Sequence, residues 1–166
     1  LSHCLDVTPN MAKGYFEFLF ETDGAKPLEI ELQRACWHTL RLQASGFPQH
    51  QVLEEVRDIA AGRADIAVVR PGWRMVVEIK RELEDASRDG IRKYLGQAAT
   101  YELTGPRIGF LVVLDLVSQR GWPLTLTDNC WVEPVRGAGD SAARMVCVWR
   151  IPGARQPPSQ AKTPIH

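Results

Sequence analysis

The chain has 166 residues, enough for one domain with a substantial buried core. It is 45% hydrophobic and 24% charged, and its 20 basic and 20 acidic residues balance. This is a soluble globular composition, and it excludes a protein that holds nucleic acid or anionic lipid by bulk charge alone. The four cysteines, Cys4, Cys36, Cys130 and Cys147, are scattered, with no CxxC and no histidine at zinc-ligand spacing. They read as reduced thiols of a cytoplasmic protein. No apolar run approaches the ~20 residues of a membrane span, and no signal peptide opens the chain. The first residue is Leu1, which suggests a domain taken from a longer polypeptide.

Residues 1–25 show no clear period and read as an N-terminal extension; "GYFEFLFETDG" suits a strand or a short helix. A helix is predicted from Pro27 to Gly46, with Leu28, Leu32, Ala35, Cys36 and Leu42 on its apolar side. "QVLEEVRDIAAG" reads as a strand. "ADIAVV" and "RMVVEIK" are β-branched strands joined by a turn with Pro71 and Gly72 at its centre. A helix follows over "IRKYLGQAATYEL", then the unbroken apolar run "IGFLVVLDL", a strand buried on both faces in parallel pairing. Strand, helix and strand in this succession make a right-handed crossover. The "CWVEPV" and "MVCVWRI" stretches supply one or two more strands, and residues 152–166 form a Pro-rich tail. Trp37, Trp131 and Trp149 read as core residues, while Trp73 sits at the turn. The fold class is α/β, a mixed central sheet flanked by helices in the order α-β-β-β-α-β over residues 26–151.

Three charges interrupt the most strand-like segment. Side chains alternate along a strand, so Val76, Glu78 and Lys80 share one face of "RMVVEIK" while Met75, Val77 and Ile79 share the other. Asp65 lies in the partner strand, within reach if the hairpin is in register. Two carboxylates converging with an ammonium are costly unless something uses them, and a hard divalent cation would reconcile them. Taken singly, Asp65 reads as a turn residue and Glu78–Lys80 as a solvated cross-strand pair. A Glu-x-Lys triplet arises by chance about 0.6 times in such a composition. The weight comes from the combination of strand, partner acid and following helix.

That combination resembles the PD-(D/E)XK nuclease superfamily, whose fold is restriction-endonuclease-like. Gly62-Arg63-Ala64-Asp65 matches its first motif, without the usual proline, and Glu78-Ile79-Lys80 matches its second. Gln97 and Tyr101 in "GQAATY" stand one helical turn apart and resemble the Gln-x-x-x-Tyr signature of the RecB-like branch. The family's first-helix acid fits Glu29, with Glu31 as competitor; the helical wheel does not decide between them. The likeness spans about residues 28 to 116.

The resemblance implies metal-assisted hydrolysis of phosphodiester bonds. Asp65, Glu78 and the Ile79 backbone carbonyl would hold Mg²⁺, with Mn²⁺ able to substitute, and Glu29 would add a ligand or anchor water. Lys80 would orient the attacking water or stabilise charge on the phosphate. Tyr94, Gln97 and Tyr101 form one helical stripe that, with Arg63, Arg92 and Lys93, could contact the backbone or stack on bases. The partner implied is DNA, with RNA as the alternative target, and the domain would serve as the effector of a larger restriction, phage-defence or repair protein. A homo-oligomer is compatible with this reading. The competing reading is a catalytically inactive nucleic-acid-binding or scaffolding domain of the same fold. Neither a GxxxxGK[ST] phosphate loop nor a GxSxG elbow is present, so ATP hydrolysis and a hydrolase triad have no support.

Overall fold

The computed structural model describes residues 16, 19–20, 26–44, 51–59, 62–100, 108–117, 125–137 and 141–155. They fold as a six-stranded mixed sheet with a helix on each face. The chain order is α1 (Glu29–Ala44), β1 (Gln51–Ile59), β2 (Gly62–Arg70), β3 (Trp73–Glu82), α2 (Arg88–Thr100) and β4 (Ile108–Asp115). It continues through the one-turn helix α3 (Leu126–Asn129), β5 (Cys130–Val135) and β6 (Arg144–Pro152). The expected α-β-β-β-α-β order is present. Helix α2 begins three residues ahead of the expected Ile91, and α3 was not anticipated.

The sheet order is β1-β2-β3-β4-β6-β5. β1, β2 and β3 form an antiparallel meander, β3, β4 and β6 run parallel, and β5 returns antiparallel to β6. β4 is thus flanked by two parallel neighbours, as its unbroken apolar run requires. The β2–β3 turn places Pro71 then Gly72 at its centre. Gly72 has φ +77, the left-handed position of a type II turn that side-chain-bearing residues avoid.

Two larger cores form because alternate residues of each strand face opposite helices, and Ala64, Ala67 and Val76 make a third, small cluster. On the α1 side, Leu32 and Ala35 pack on Ile66, Val77, Ile79, Val112, Leu114 and Ile151, joined by Phe16, Leu19 and Phe20. On the α2 side, Ile91, Leu95, Ala98 and Ala99 pack on Leu111, Val113, Val146, Val148 and Trp131. α2 lies close on β4: a Cβ at Gly109 would stand 2.7 Å from the Ala98 carbonyl oxygen. The apolar stripe of α1 is shorter than its spacing suggested. Leu32 and Ala35 are buried and Cys36 half-buried, but Leu28 and Leu42 are 56% and 75% exposed. The middle turns of the helix lie on the sheet and its ends do not. Trp131 is buried, Trp37 and Trp149 are half-buried against the core, and Trp73 is exposed. Phe20 forms a parallel bridge with Arg155, whose amide donates to the Leu19 carbonyl (3.0 Å). No helix among the described residues is long and apolar enough to cross a membrane. Most of the N-terminal extension and the tail beyond Arg155 lie outside the described residues.

Candidate functional site

The β2–β3 ladder runs from Arg70↔Trp73 to Ile66↔Val77 and is not continued to the next step, where Asp65 would face Glu78. There the strands fork. β2 goes on pairing with β1 on its other side, and β3 with β4. The amide of Ile79 therefore needs an acceptor other than a β2 carbonyl, and Asp65 Oδ2 supplies it (2.8 Å). In an antiparallel ladder a residue's N–H and C=O point to the same neighbour. The Ile79 carbonyl is thus directed into the same fork as the Asp65 carboxylate.

Glu78 and Lys80 share the α2-side face with Asp65, as strand alternation required. Lys80 Nζ donates to Glu78 Oε1. The Glu78 side chain is 1% exposed and that of Lys80 19%. Glu78 Oε2 is buried with no hydrogen-bond partner among the described residues. Burial pushes the Glu78 carboxyl up to about 7, the Lys80 bond working against that rise and the charges of Asp65 and Glu29 adding to it. For Lys80, burial acts downward, but its bond to Glu78 and the surrounding carboxylates raise it overall. An acid in this position favours a proton or a cation over an unshared charge.

Glu29 joins from the first turn of α1. Its Oε2 accepts from the Arg81 amide (3.2 Å), while Arg81 Nη1 donates to the Pro27 carbonyl (3.0 Å). The start of α1 is thereby docked on the end of β3. Glu31, the competitor, is turned back on its own helix and accepts from the Leu28 amide (2.7 Å), the reciprocal half of a capping box. Between the two, Glu29 is the acid that reaches the cluster. Gln33, buried beneath it, donates to the Asp65 carbonyl (3.5 Å) and to Glu54 Oε1 (3.3 Å). Glu55, on β1, carries φ +50, a strained value for a non-glycine residue.

The α2 residues divide differently from the expectation. Lys93 Nζ lies 2.6 Å from Glu82 Oε2, and the Tyr94 hydroxyl donates to the same oxygen (2.9 Å). Both are thus engaged within the fold. Gln97 is exposed one turn beyond Lys93. Arg92 is exposed and pairs loosely with Asp89 (3.5 Å). Tyr101 lies outside the described residues, as does the side chain of Arg63.

Sequence reasoning missed Glu82. It is 2% exposed on the same strand face as Glu78 and Lys80. Its Oε1 accepts from the amides of Leu83 (2.9 Å), Glu84 (2.8 Å) and Asp85 (3.2 Å). Burial alone would raise its pKa, but the Lys93 ammonium, these amides and the Tyr94 hydroxyl outweigh that and hold it at about 2. The period-two run Glu78-Lys80-Glu82 was the available signal.

The donor set can be tested against a hard cation. Among the described residues, no group of three or more His, Cys, Asp and Glu side chains forms a metal cage. Two carboxylates beside a backbone carbonyl remain, and this fits Mg²⁺, which keeps several waters and takes only one or two protein carboxylates. Glu78 Oε2, without a partner among the described residues, is the one oxygen of this set left over. No family model, curated protein or solved structure matches the chain.

Proposed function

We propose that the domain is a metal-dependent nuclease that hydrolyses phosphodiester bonds, most naturally in DNA, with the restriction-endonuclease-like fold that its motifs resemble. One observation carries the reading: a buried glutamate oxygen without a partner among the described residues, beside an aspartate, a backbone carbonyl and a lysine at the fork of two strands. Asp65, Glu78 and the Ile79 carbonyl would hold Mg²⁺. The ion, when bound, would polarise the phosphate and acidify water. The Ile79 amide holds the Asp65 carboxylate and Gln33 bonds the Asp65 carbonyl, so both sides of the fork are tied before substrate arrives. Lys80 Nζ, released from Glu78 once that carboxylate is otherwise engaged, can donate to the attacking water or to the phosphate oxygens that gain charge. Glu29, at the N-terminus of α1, orients water at the rim.

A second reading has its own support. Glu78 is 1% exposed and capped by Lys80, a closed arrangement that also suits an inactive binding or scaffolding module. Two measurements separate them. Titration calorimetry with Mn²⁺ is expected to show binding that Glu78→Gln abolishes, and that variant, which keeps an acceptor for Lys80 but removes a carboxylate whose charge burial disfavours, should melt higher than the wild type in EDTA. Plasmid nicking is expected with Mg²⁺, to stop in EDTA, and to fall at least about 100-fold in Lys80→Ala, the loss typical for one transition-state donor. Absent metal binding would establish the inactive module, and nicking that survives Lys80→Ala would refute the catalytic assignment. Parallel digestion of tRNA and duplex DNA distinguishes the two substrates.

A further inference from the structure

The edge of α2 that faces away from Glu82 borders β5, and between them lies a groove of about 320 Å³. Arg92, Leu95 and Gly96 form one wall, and Glu133 to Arg136 the other. Three features of this seam point to a ligand. First, it is basic. Arg88 and Arg92 stand one turn apart on α2, exposed Arg136 follows the end of β5, and Arg144, paired across from Val135, donates to the Ala99 carbonyl at the far end of the helix (2.8 Å). Among the described residues two carboxylates, Asp89 and Glu133, oppose these four guanidinium groups.

Second, Gly96 sits inside a helix, where it is among the least favourable residues. No close packing explains it: a Cβ placed there meets nothing within 4 Å. Its lack of a side chain deepens the groove and opens backbone to an incoming group. Third, Leu95, Pro134 and Val135 offer an apolar surface between the charges. At the small end of the ~300–1,000 Å³ range of ligand sites, the volume suits one sugar and base rather than a duplex.

We propose that this groove holds a single-stranded segment of nucleic acid, with phosphates on Arg92 and Arg136 and a base or sugar against Leu95, Pro134 and Val135. This rests on the nuclease reading and adds to it. Because the acid cluster lies toward β3 and the groove toward β5, the strand would cross the helix, a width of ~10–12 Å. The groove would therefore anchor substrate away from the reacting bond.

The test is binding of a fluorescein-labelled single-stranded oligonucleotide, measured in EDTA so that metal plays no part. Gly96→Leu, which fills the groove, should weaken binding several-fold while raising the melting temperature, because Leu is the better helix former. Opposite movement of stability and affinity is a response that a purely structural glycine would not produce. Arg136→Gln should weaken binding and reduce the salt slope by about 0.7, the loss of one single-strand phosphate contact. Unchanged affinity in both variants would overturn the proposal. So would equal binding of a mononucleotide or of duplex, with the same sensitivity to both variants. If the groove fails while Lys80→Ala still abolishes metal-dependent nicking, the nuclease reading stands without it. If nicking is absent but the variants lose the oligonucleotide, the groove belongs to a binding module.

Discussion

Glu82 shows how a single carboxylate can tie a strand to the helix that follows it. Three successive amides of the β3–α2 connection, a tyrosine hydroxyl and a lysine ammonium converge on its two oxygens. The consequence for stability has a definite sign. Its folded pKa, at about 2, lies below the ordinary 4.5, so the ionised form favours the fold. That contribution is complete above about pH 5 and disappears as pH falls through 4.5 towards 2. The gap corresponds to about 3 kcal/mol. Urea denaturation followed against pH should show wild-type stability falling over that acid window. Glu82→Gln should be weaker by a similar amount at neutral pH and show a shallower fall from pH 5 to 2 than the wild type. An unchanged acid limb would mean that Glu82 is not the group responsible. Glu78 represents the opposite case: burial dominates there and favours the proton, whereas at Glu82, four residues on, the hydrogen-bond and ion-pair partners outweigh burial.

Arg150 links elements as Glu82 links residues. From β6 its guanidinium donates to the Asn129 side chain (3.0 Å), the Ala86 carbonyl (3.0 Å) and the Asp128 carbonyl (2.9 Å), and it stands 3.9 Å from Asp115 of β4. It thereby fixes α3 and the entry to α2 against the parallel strands. Arg150→Met, which leaves Asp115 buried without that cation, should cost about 3–5 kcal/mol. Arg150→Lys should recover little, since an ammonium cannot span the same fork. Urea midpoints of the two variants decide this, and a lysine variant close to the wild type would show that charge alone suffices. These ties explain what was legible in the sequence. Local patterns disclosed α1, the β2–β3 hairpin, α2 and β4, and alternation placed Glu78 with Lys80. They could not disclose Arg150, whose partners come from three separate segments, nor choose Glu29 over Glu31. That choice depends on where α1 docks against Arg81. Leu28 and Leu42 were misjudged because helical spacing registers direction but not how far the sheet extends beneath the helix.

At the scale of the molecule, the fold is a meander of three antiparallel strands joined by one helical crossover to a parallel half. The acid cluster sits where the two pairing modes meet. β3 belongs to both, and as it leaves β2 its freed amide and carbonyl become available to a side chain or an ion. The candidate chemistry thus arises from a defect in pairing that the topology makes necessary. The bridge between Phe20 and Arg155 carries a separate implication. Phe20 and Arg155 lie side by side, so a circularly permuted version, with these two positions joined through their flanks and new termini at the exposed Pro71-Gly72 tip, should reach the same architecture. Its most local hairpin would become its most distant pairing, so stopped-flow refolding should slow.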